Sequence, residues 1–393
     1  MLIAYKYRLK TNKDQEEYLM KTTGCCRFVY NYFLALKNKA YNKGKSLSKY
    51  DLMKKLTKLK RKKGFEFLQE VDATSLQQVI HNLDQAYKNF FRRVKEGSQA
   101  PGFPKYKSKH NSRKSARLVM SNKIEYKDST IKIGKLGYFK VFGELTRIPK
   151  KHKVKSITLS QDSDQHWYAS LLVEQKSRPK LPKTKKSIGI DLGLKTTLVL
   201  SNGVKLDSPK ATRKYATKLA KAQKSHSRKT KGSNNRNKQR IKVAKTHNKI
   251  KNTRRDFNHK KSKQLVTCYG KIYVEDLNIK GMVKTNLAKS IHDNSWGQFL
   301  NFLNYKAEWY GKAVYKVDRF FPSSKTCSTC GLRKKKLPLN IREWTCSRCS
   351  TKHDRDINAA KNIRRYGSLA NKGKVSNKKE YSKHLRIKYQ LAS

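Results

Sequence analysis

The chain has 393 residues, in which 94 Lys and Arg face 27 Asp and Glu, a formal net charge of +67. A folded protein so unbalanced repels itself and needs a polyanionic partner, which sets aside a mere solubility adaptation and points to nucleic acid phosphates. With 36% hydrophobic and 10% aromatic residues there is material for real cores, so wholesale disorder is excluded, and the length allows two to three domains.

Residues 3 to 10 alternate in strand fashion. From Asn12, an expected N-cap, Leu19, Cys26, Val29, Tyr30, Phe33 and Leu36 recur at helical spacing. Leu76, Val79, Ile80, Leu83, Tyr87, Phe90 and Val94 form the stripe of a second helix ending at Gly97. Pro101-Gly102-Phe103-Pro104 breaks the chain ahead of a basic run, Lys105 to Arg117. Strand-like segments follow at Arg117 to Met120, Ile131 to Ile133, Tyr138 to Phe142, Val154 to Leu159 and Trp167 to Val173, the last two as a hairpin around Asp162-Ser163-Asp164. The first 175 residues read as a small β-barrel interrupted by helices.

Arg178 to Lys186 is a Pro- and Lys-rich linker. Ser187 to Gly193 and Thr196 to Leu200 then read as a buried hairpin. Residues 210 to 262 suit one or two long helices, basic nearly all round and broken near Gly232-Ser233; a bound phosphate backbone would supply the partner that such a surface lacks. Lys271 to Leu277 is another buried strand, Ser295 to Tyr310 an amphipathic helix and Ala313 to Val317 a further strand. The segment from Gly367 to Ser393 is basic and weakly patterned, expected to be disordered.

Two CxxC knuckles, Cys327-Ser328-Thr329-Cys330 and Cys346-Ser347-Arg348-Cys349, stand 15 residues apart, the spacing of a zinc ribbon. Four thiolates on one structural Zn²⁺ can fold a segment too short to own a core. The ribbon feeds directly into His353-Asp354-Arg355-Asp356-Ile357-Asn358-Ala359-Ala360. His353 could replace a cysteine, but the four thiolates already complete a tetrahedron. Cys25, Cys26 and Cys268 remain, an odd number that fits a reducing cytosol, and are read as small buried side chains. The N-terminus has no apolar signal region and no stretch approaches a membrane span, so the expectation is a cytoplasmic, nucleoid-associated protein with no membrane partner.

Carboxylates are scarce here, yet three border apolar segments: Asp191 after Ile188-Gly189-Ile190, Glu275 after Ile272-Tyr273-Val274, and Asp356 at the start of the last helix. Converging carboxylates repel each other and raise their own pKa values. Two Mg²⁺ ions, favoured by hard oxygen ligands, would remove the conflict and can promote phosphodiester hydrolysis, the logic of a ribonuclease-H-like site. Asp191 could instead cap a tight turn and Glu275 could pair with a surface Lys. Asp356 is preferred over Asp354 for the third role, since Asp354 is better placed to cap the helix. Gly189-Ile190-Asp191-Leu192-Gly193 also looks like the first phosphate loop of actin-type ATPases, but no second Gly-rich loop accompanies it.

These motifs, with Cys25-Cys26-Arg27-Phe28-Val29-Tyr30-Asn31, Ala86-Tyr87-Lys88-Asn89-Phe90-Phe91, Val274-Glu275-Asp276-Leu277-Asn278-Ile279 and Phe321-Pro322-Ser323-Ser324-Lys325-Thr326-Cys327 in this order, make the chain resemble the TnpB proteins of bacterial insertion-sequence transposons. The resemblance implies an RNA-guided DNA endonuclease related to type V CRISPR effectors: a monomer on one guide RNA that recognises a transposon-adjacent motif and cuts double-stranded target DNA. It implies an α+β multidomain fold, with a wedge-like β-barrel (1–10 and 111–178), a helical recognition insertion (11–110), a RuvC-like nuclease domain (185–322 and 353–366), a zinc ribbon (323–352) and a basic tail (367–393). Asp191, Glu275 and Asp356 would be the catalytic, magnesium-binding set. The presence of all three argues against a nuclease-inactive RNA-guided repressor, and an RNA-independent transposase or resolvase is the other alternative. Gln or Asn reads adenine in a groove, so Gln77, Gln78, Ser121 and Asn122 are the candidates for motif reading.

Overall fold

The computed structural model describes residues 1–109, 113–119, 126–133, 137–148, 154–175, 180–375 and 377–390. Two compact units divide the chain, Met1–Lys176 and Ser177–Ser393.

The first unit runs β1 (Leu2–Lys10), α1 (Lys13–Tyr41), α2 (Lys49–Arg61), α3 (Ala73–Lys95), β2 (Ser115–Leu118), β3 (Tyr126–Lys127), β4 (Thr130–Lys132), β5 (Tyr138–Val141), β6 (Val154–Gln161) and β7 (Trp167–Glu174). Its helices start where side-chain chemistry says they should. Asn12 and Gln15 form a reciprocal capping box, as do Ser48 and Asp51. α3 ends in a Schellman motif: Gly97, at φ +70°, donates to the Val94 carbonyl while Ser98 donates to that of Arg93. Leu52, Leu56 and Leu59 of α2 pack with Phe33, Leu76 and Ile80 in one core.

The seven strands form one sheet in the order β2-β6-β7-β1-β5-β4-β3. The hairpin expected around Asp162 to Asp164 is the β6–β7 pair, and the alternating Trp167, Ala169, Leu171 and Val173 fill the sheet's core. The barrel expected from the sequence is not closed among the described residues: β2 and β3 are the two ends of the sheet and do not pair with each other.

The second unit runs β8 (Ser187–Asp191), β9 (Leu198–Leu200), β10 (Lys205–Leu206), α4 (Ala211–Lys214), α5 (Ala216–Ser227), α6 (Asn234–Cys268), β11 (Lys271–Glu275), α7 (Ile279–Met282), α8 (Ala288–Asn294), α9 (Trp296–Tyr310), β12 (Ala313–Val317), β13 (Glu343–Thr345), β14 (Lys352–Asp354), α10 (Arg355–Ala370) and α11 (Lys378–Gln390). Its sheet has the order β10-β9-β8-β11-β12, with β8, β11 and β12 parallel. One face packs on α6 and α9 through Leu265, Val266, Phe299 and Leu303, and the other on α10 and α11 through Ile363, Tyr366, Tyr381 and Leu385.

The break expected at Gly232-Ser233 separates α5 from α6: Gly232 has φ +89°, and Ser233 caps α6 by accepting from the Arg236 amide. Ahead of Leu265 and Val266, which enter the sheet's core, α6 is held by buried polar bonds. Arg254 pairs with Asp293 at 3.2 Å, and the Lys306 ammonium donates to the His259 carbonyl at 2.6 Å. Cys25 and Cys26 are buried as expected, but Cys268, at the end of α6, is exposed.

The expectation of a disordered tail is overturned by α11. Tyr381 and Leu385, one turn apart, are 0% and 3% exposed and close the sheet's second core with Phe321 and Tyr366. Tyr381 and Leu385, with Tyr389 one turn further on against the cysteine cluster, dock a short helix whose remaining positions are mostly polar or charged. No helix among the described residues is long and apolar enough to cross a membrane.

Candidate active site and metal centre

The twofold period of a strand sorts the side chains. On β8, Ile188 and Ile190 enter the α6–α9 core, so Gly189 and Asp191 turn to the α10 face. On β11, Ile272 and Val274 do the same, leaving Tyr273 and Glu275 on the α10 face. Asp191 and Glu275 each stand one residue beyond the paired Ile190 and Val274, at the ends of neighbouring parallel strands. Asp356 lies in the first turn of α10, which packs across this face.

Gly189 explains how close α10 comes. A Cβ there would overlap the Ala360 carbonyl oxygen and stand 2.7 Å from the Arg364 amide. The glycine of the Gly-x-Asp motif thus admits the helix that carries the third carboxylate. All three acids are half-buried rather than sealed.

The placement has an electrostatic consequence. Burial, then the charges of Glu275 and Asp356, push the Asp191 carboxyl well above its usual range, with Arg355 and Arg342 opposing. Burial raises Glu275 too, against the Ser323 hydroxyl, which donates to its Oε1 at 2.6 Å. Asp356 receives Arg342 at 3.4 Å. Asp354 is differently employed: it caps α10 by accepting from the Asp356 and Ile357 amides, and Lys205 approaches it at 2.6 Å. Against its own burial, Lys205 and those amides hold the Asp354 carboxyl below its usual range.

The cysteines form a tighter cluster. The Sγ atoms of Cys327, Cys330, Cys346 and Cys349 lie within 4.8 Å of one another, the only such metal-ligand group among the described residues. Cys327 and Cys349 are 3.6 Å apart, and Cys330 and Cys346 3.5 Å. A thiolate tetrahedron with Zn–S of about 2.3 Å has edges of about 3.8 Å, whereas a disulfide needs about 2.05 Å. The donor set fits a structural zinc. His353 Nε2 stands 3.0 Å from Cys327 Sγ, beside the quartet as a hydrogen-bond partner of one ligand.

Sequence reasoning missed the fastening between these two sites. Asn358 and Asn362, buried one turn apart on α10, donate to the Thr326 carbonyl at 2.8 and 2.6 Å, and Asn362 also donates to that of Ser323 at 2.8 Å. Asn358 Oδ1 accepts from the Ser328 amide. The available signal was the pair itself, two asparagines at i and i+4 flanking Ala359-Ala360 on an otherwise apolar helix face.

Of the motif-reading candidates, Gln77 is exposed and Gln78 half-buried on α3, while Ser121 and Asn122 lie outside the described residues. A groove between α5 and α6 is lined by Lys218, Lys221, Lys242, Lys245 and Lys249, with no carboxylate among its walls.

Residues 296–363 match the family model described as "Cas12f1-like, TNB domain", residues 170–286 "Probable transposase" of the OrfB/IS605 group, and residues 1–46 "Helix-turn-helix domain". In this chain the last stretch forms β1 and the single helix α1. A protein of Streptomyces pristinaespiralis named "Putative RNA-guided DNA endonuclease" is 38% identical over 93% of this chain and 90% of its own. One of Escherichia coli (strain K12), given the same name with the suffix InsQ, is 30% identical over 92% and 91%. "TnpB-like protein L79" of Acanthamoeba polyphaga mimivirus is 30% identical over 54% of this chain and 43% of that one. In fold, the chain resembles the protein in a cryo-EM structure of a Cas12f1-sgRNA-target DNA complex, with a TM-score of 0.54 at 15% identity, covering 90% of this chain and 83% of that one. Relatives of this identity along nine-tenths of both chains, with the TNB match and nearly all of the transposase match falling in the unit that holds the carboxylates and cysteines, show that the chain belongs to the TnpB family.

Proposed function

We propose that this chain is an RNA-guided DNA endonuclease of an insertion-sequence transposon. The observation that carries the proposal is the gathering of Asp191, Glu275 and Asp356 on one face of the second unit's sheet, each partly open to solvent, in a chain with few acids to spare. On this reading residues 185–322 and 353–366 are a RuvC-like, ribonuclease-H-like nuclease domain and 323–352 its zinc ribbon. The first unit supplies a wedge built on the seven-stranded sheet and a helical recognition part, from which Gln77 and Gln78 reach the adjacent motif. A single copy on one guide RNA, acting at the nucleoid, is the working assembly.

The carboxylates fit divalent ions because nearby cations offset their repulsion only in part: Arg342 pairs with Asp356 at 3.4 Å, and Arg355 and Arg342 oppose the rise at Asp191 without reversing it. Asp191, Glu275 and Asp356 would hold two Mg²⁺, which when bound supply activation of a water and charge stabilisation at the leaving oxygen of a phosphodiester. The chain's own residues do the positioning. Ser323 fixes one oxygen of Glu275, Asp354 pins the first turn of α10, and the Asn358–Asn362 pair ties that helix to the knuckle of Cys327. The lysine groove of α5 and α6 suits a nucleic acid backbone recognised by shape and charge, as guided recognition requires.

The test is Asp191→Ala and, separately, Glu275→Ala in protein carrying its copurified RNA. Cleavage should be abolished while RNA and target binding survive; an equal loss of binding would refute the assigned roles. Cleavage by protein freed of RNA would point instead to a transposase or resolvase.

A further inference from the structure

The last helix is tied to the candidate active site by one hydrogen-bonded path. Tyr381 on α11 is fully buried, and its hydroxyl donates to Asn362 Oδ1 at 3.0 Å. The same amide, through Nδ2, holds the carbonyls of Ser323 and Thr326. From there the path divides. The Ser323 hydroxyl reaches Glu275, and Thr326 precedes the zinc-knuckle Cys327. An amide that donates twice and accepts once has little freedom to rotate, and the Tyr381 hydroxyl fixes which way round it sits. Resting on the reading of Glu275 given above, we infer that Tyr381 is a positioning residue of the nuclease site: α11 sets the Asn362 amide, and through it the Ser323 loop that orients Glu275 and seats Cys327.

Tyr381→Phe is the discriminating change. The ring contacts with Phe321 and Tyr366, at 5.4 and 5.5 Å between centroids, survive it. Only the hydroxyl goes, leaving a buried amide oxygen without its donor. Three readouts are taken on the RNA-loaded protein: single-turnover cleavage rate, target affinity, and the rate at which zinc passes to a chelator. Tyr381→Phe should cleave about tenfold more slowly and release zinc faster, with target affinity within about twofold of wild type. Asn362→Ala should show the same pattern, and adding Tyr381→Phe to it should change little, because both remove one linkage. Lys383→Ala, an exposed change on the same helix, should have no effect. Wild-type cleavage and zinc release in Tyr381→Phe, or losses that simply add in the double variant, would overturn the inference. Should Glu275→Ala remain active, the catalytic reading fails by itself, while zinc release still tests the path from α11 to the knuckle.

Discussion

Gly189→Ala tests whether the approach of α10 to the sheet is what assembles the carboxylates. The new Cβ would overlap the Ala360 carbonyl and lie 2.7 Å from the Arg364 amide, both helix backbone that cannot swing aside as a side chain would. A carbon contact relaxes at about 3.5 Å, so α10 must withdraw by at least roughly 0.8 Å at Arg364 and by more at Ala360, the closer of the two. Such overpacking costs typically about 1–3 kcal/mol, which a unit with this much core can survive. The carboxylates are less tolerant, because displacing a reacting group by about 1 Å can cost roughly a hundredfold in rate. Asp356 rides on the displaced helix, whereas Asp191 and Glu275 stay with the strands. The expected result is a modest fall in Tm, near-normal RNA and target binding, and cleavage slowed by about a hundredfold. Thermal melting and single-turnover cleavage read both quantities on one preparation. Wild-type cleavage by folded Gly189→Ala would refute the reasoning, since the helix would then be shown to need no such closeness.

Two further outcomes follow from the site's chemistry. Cys346→Ser should lose zinc and, through the loosened knuckle, cleavage, while RNA binding persists; metal analysis of the purified variant checks it, and an unchanged zinc content would contradict the assignment of the quartet. Asp191 and Glu275 have raised pKa values in the fold, so the metal-free protein is favoured while they are protonated and loses that advantage as pH climbs from the ordinary carboxylate range through the raised values. Mg²⁺ relieves the charged state only, so it should raise Tm more at about pH 8 than at about pH 5, and an equal shift at both would count against these carboxylates as its ligands.

What could be read from the residues was whatever is written locally. The Asn12 cap, the Gly97 stop, the Gly232-Ser233 break and the two knuckles each depend on a few adjacent side chains, and each is where its pattern puts it. The carboxylates stood out because acids beside apolar strand residues need a reason. The helix α2 escaped notice although Leu52, Leu56 and Leu59 recur behind the Ser48 cap, since lysines crowd the stripe. What depends on long-range packing was not legible. Gly189 reads as a turn residue until α10 is seen lying on it, and Asn358 and Asn362 read as polar helix positions until the loop they hold is in view. Tyr381, Leu385 and Tyr389 recur at helical spacing, but so sparsely among lysines and arginines that only the cores they enter give them meaning. Closure of the first unit's sheet is likewise a matter of which edges meet, and alternation within a strand carries no information about that.

The order of parts along the polypeptide has a bearing on synthesis. The lysine-lined helices α5 and α6 leave the ribosome before the cysteine quartet, and Asp356 follows the quartet. A nascent chain therefore carries its lysine-lined helices well before the cysteine quartet and the last of the three carboxylates have emerged.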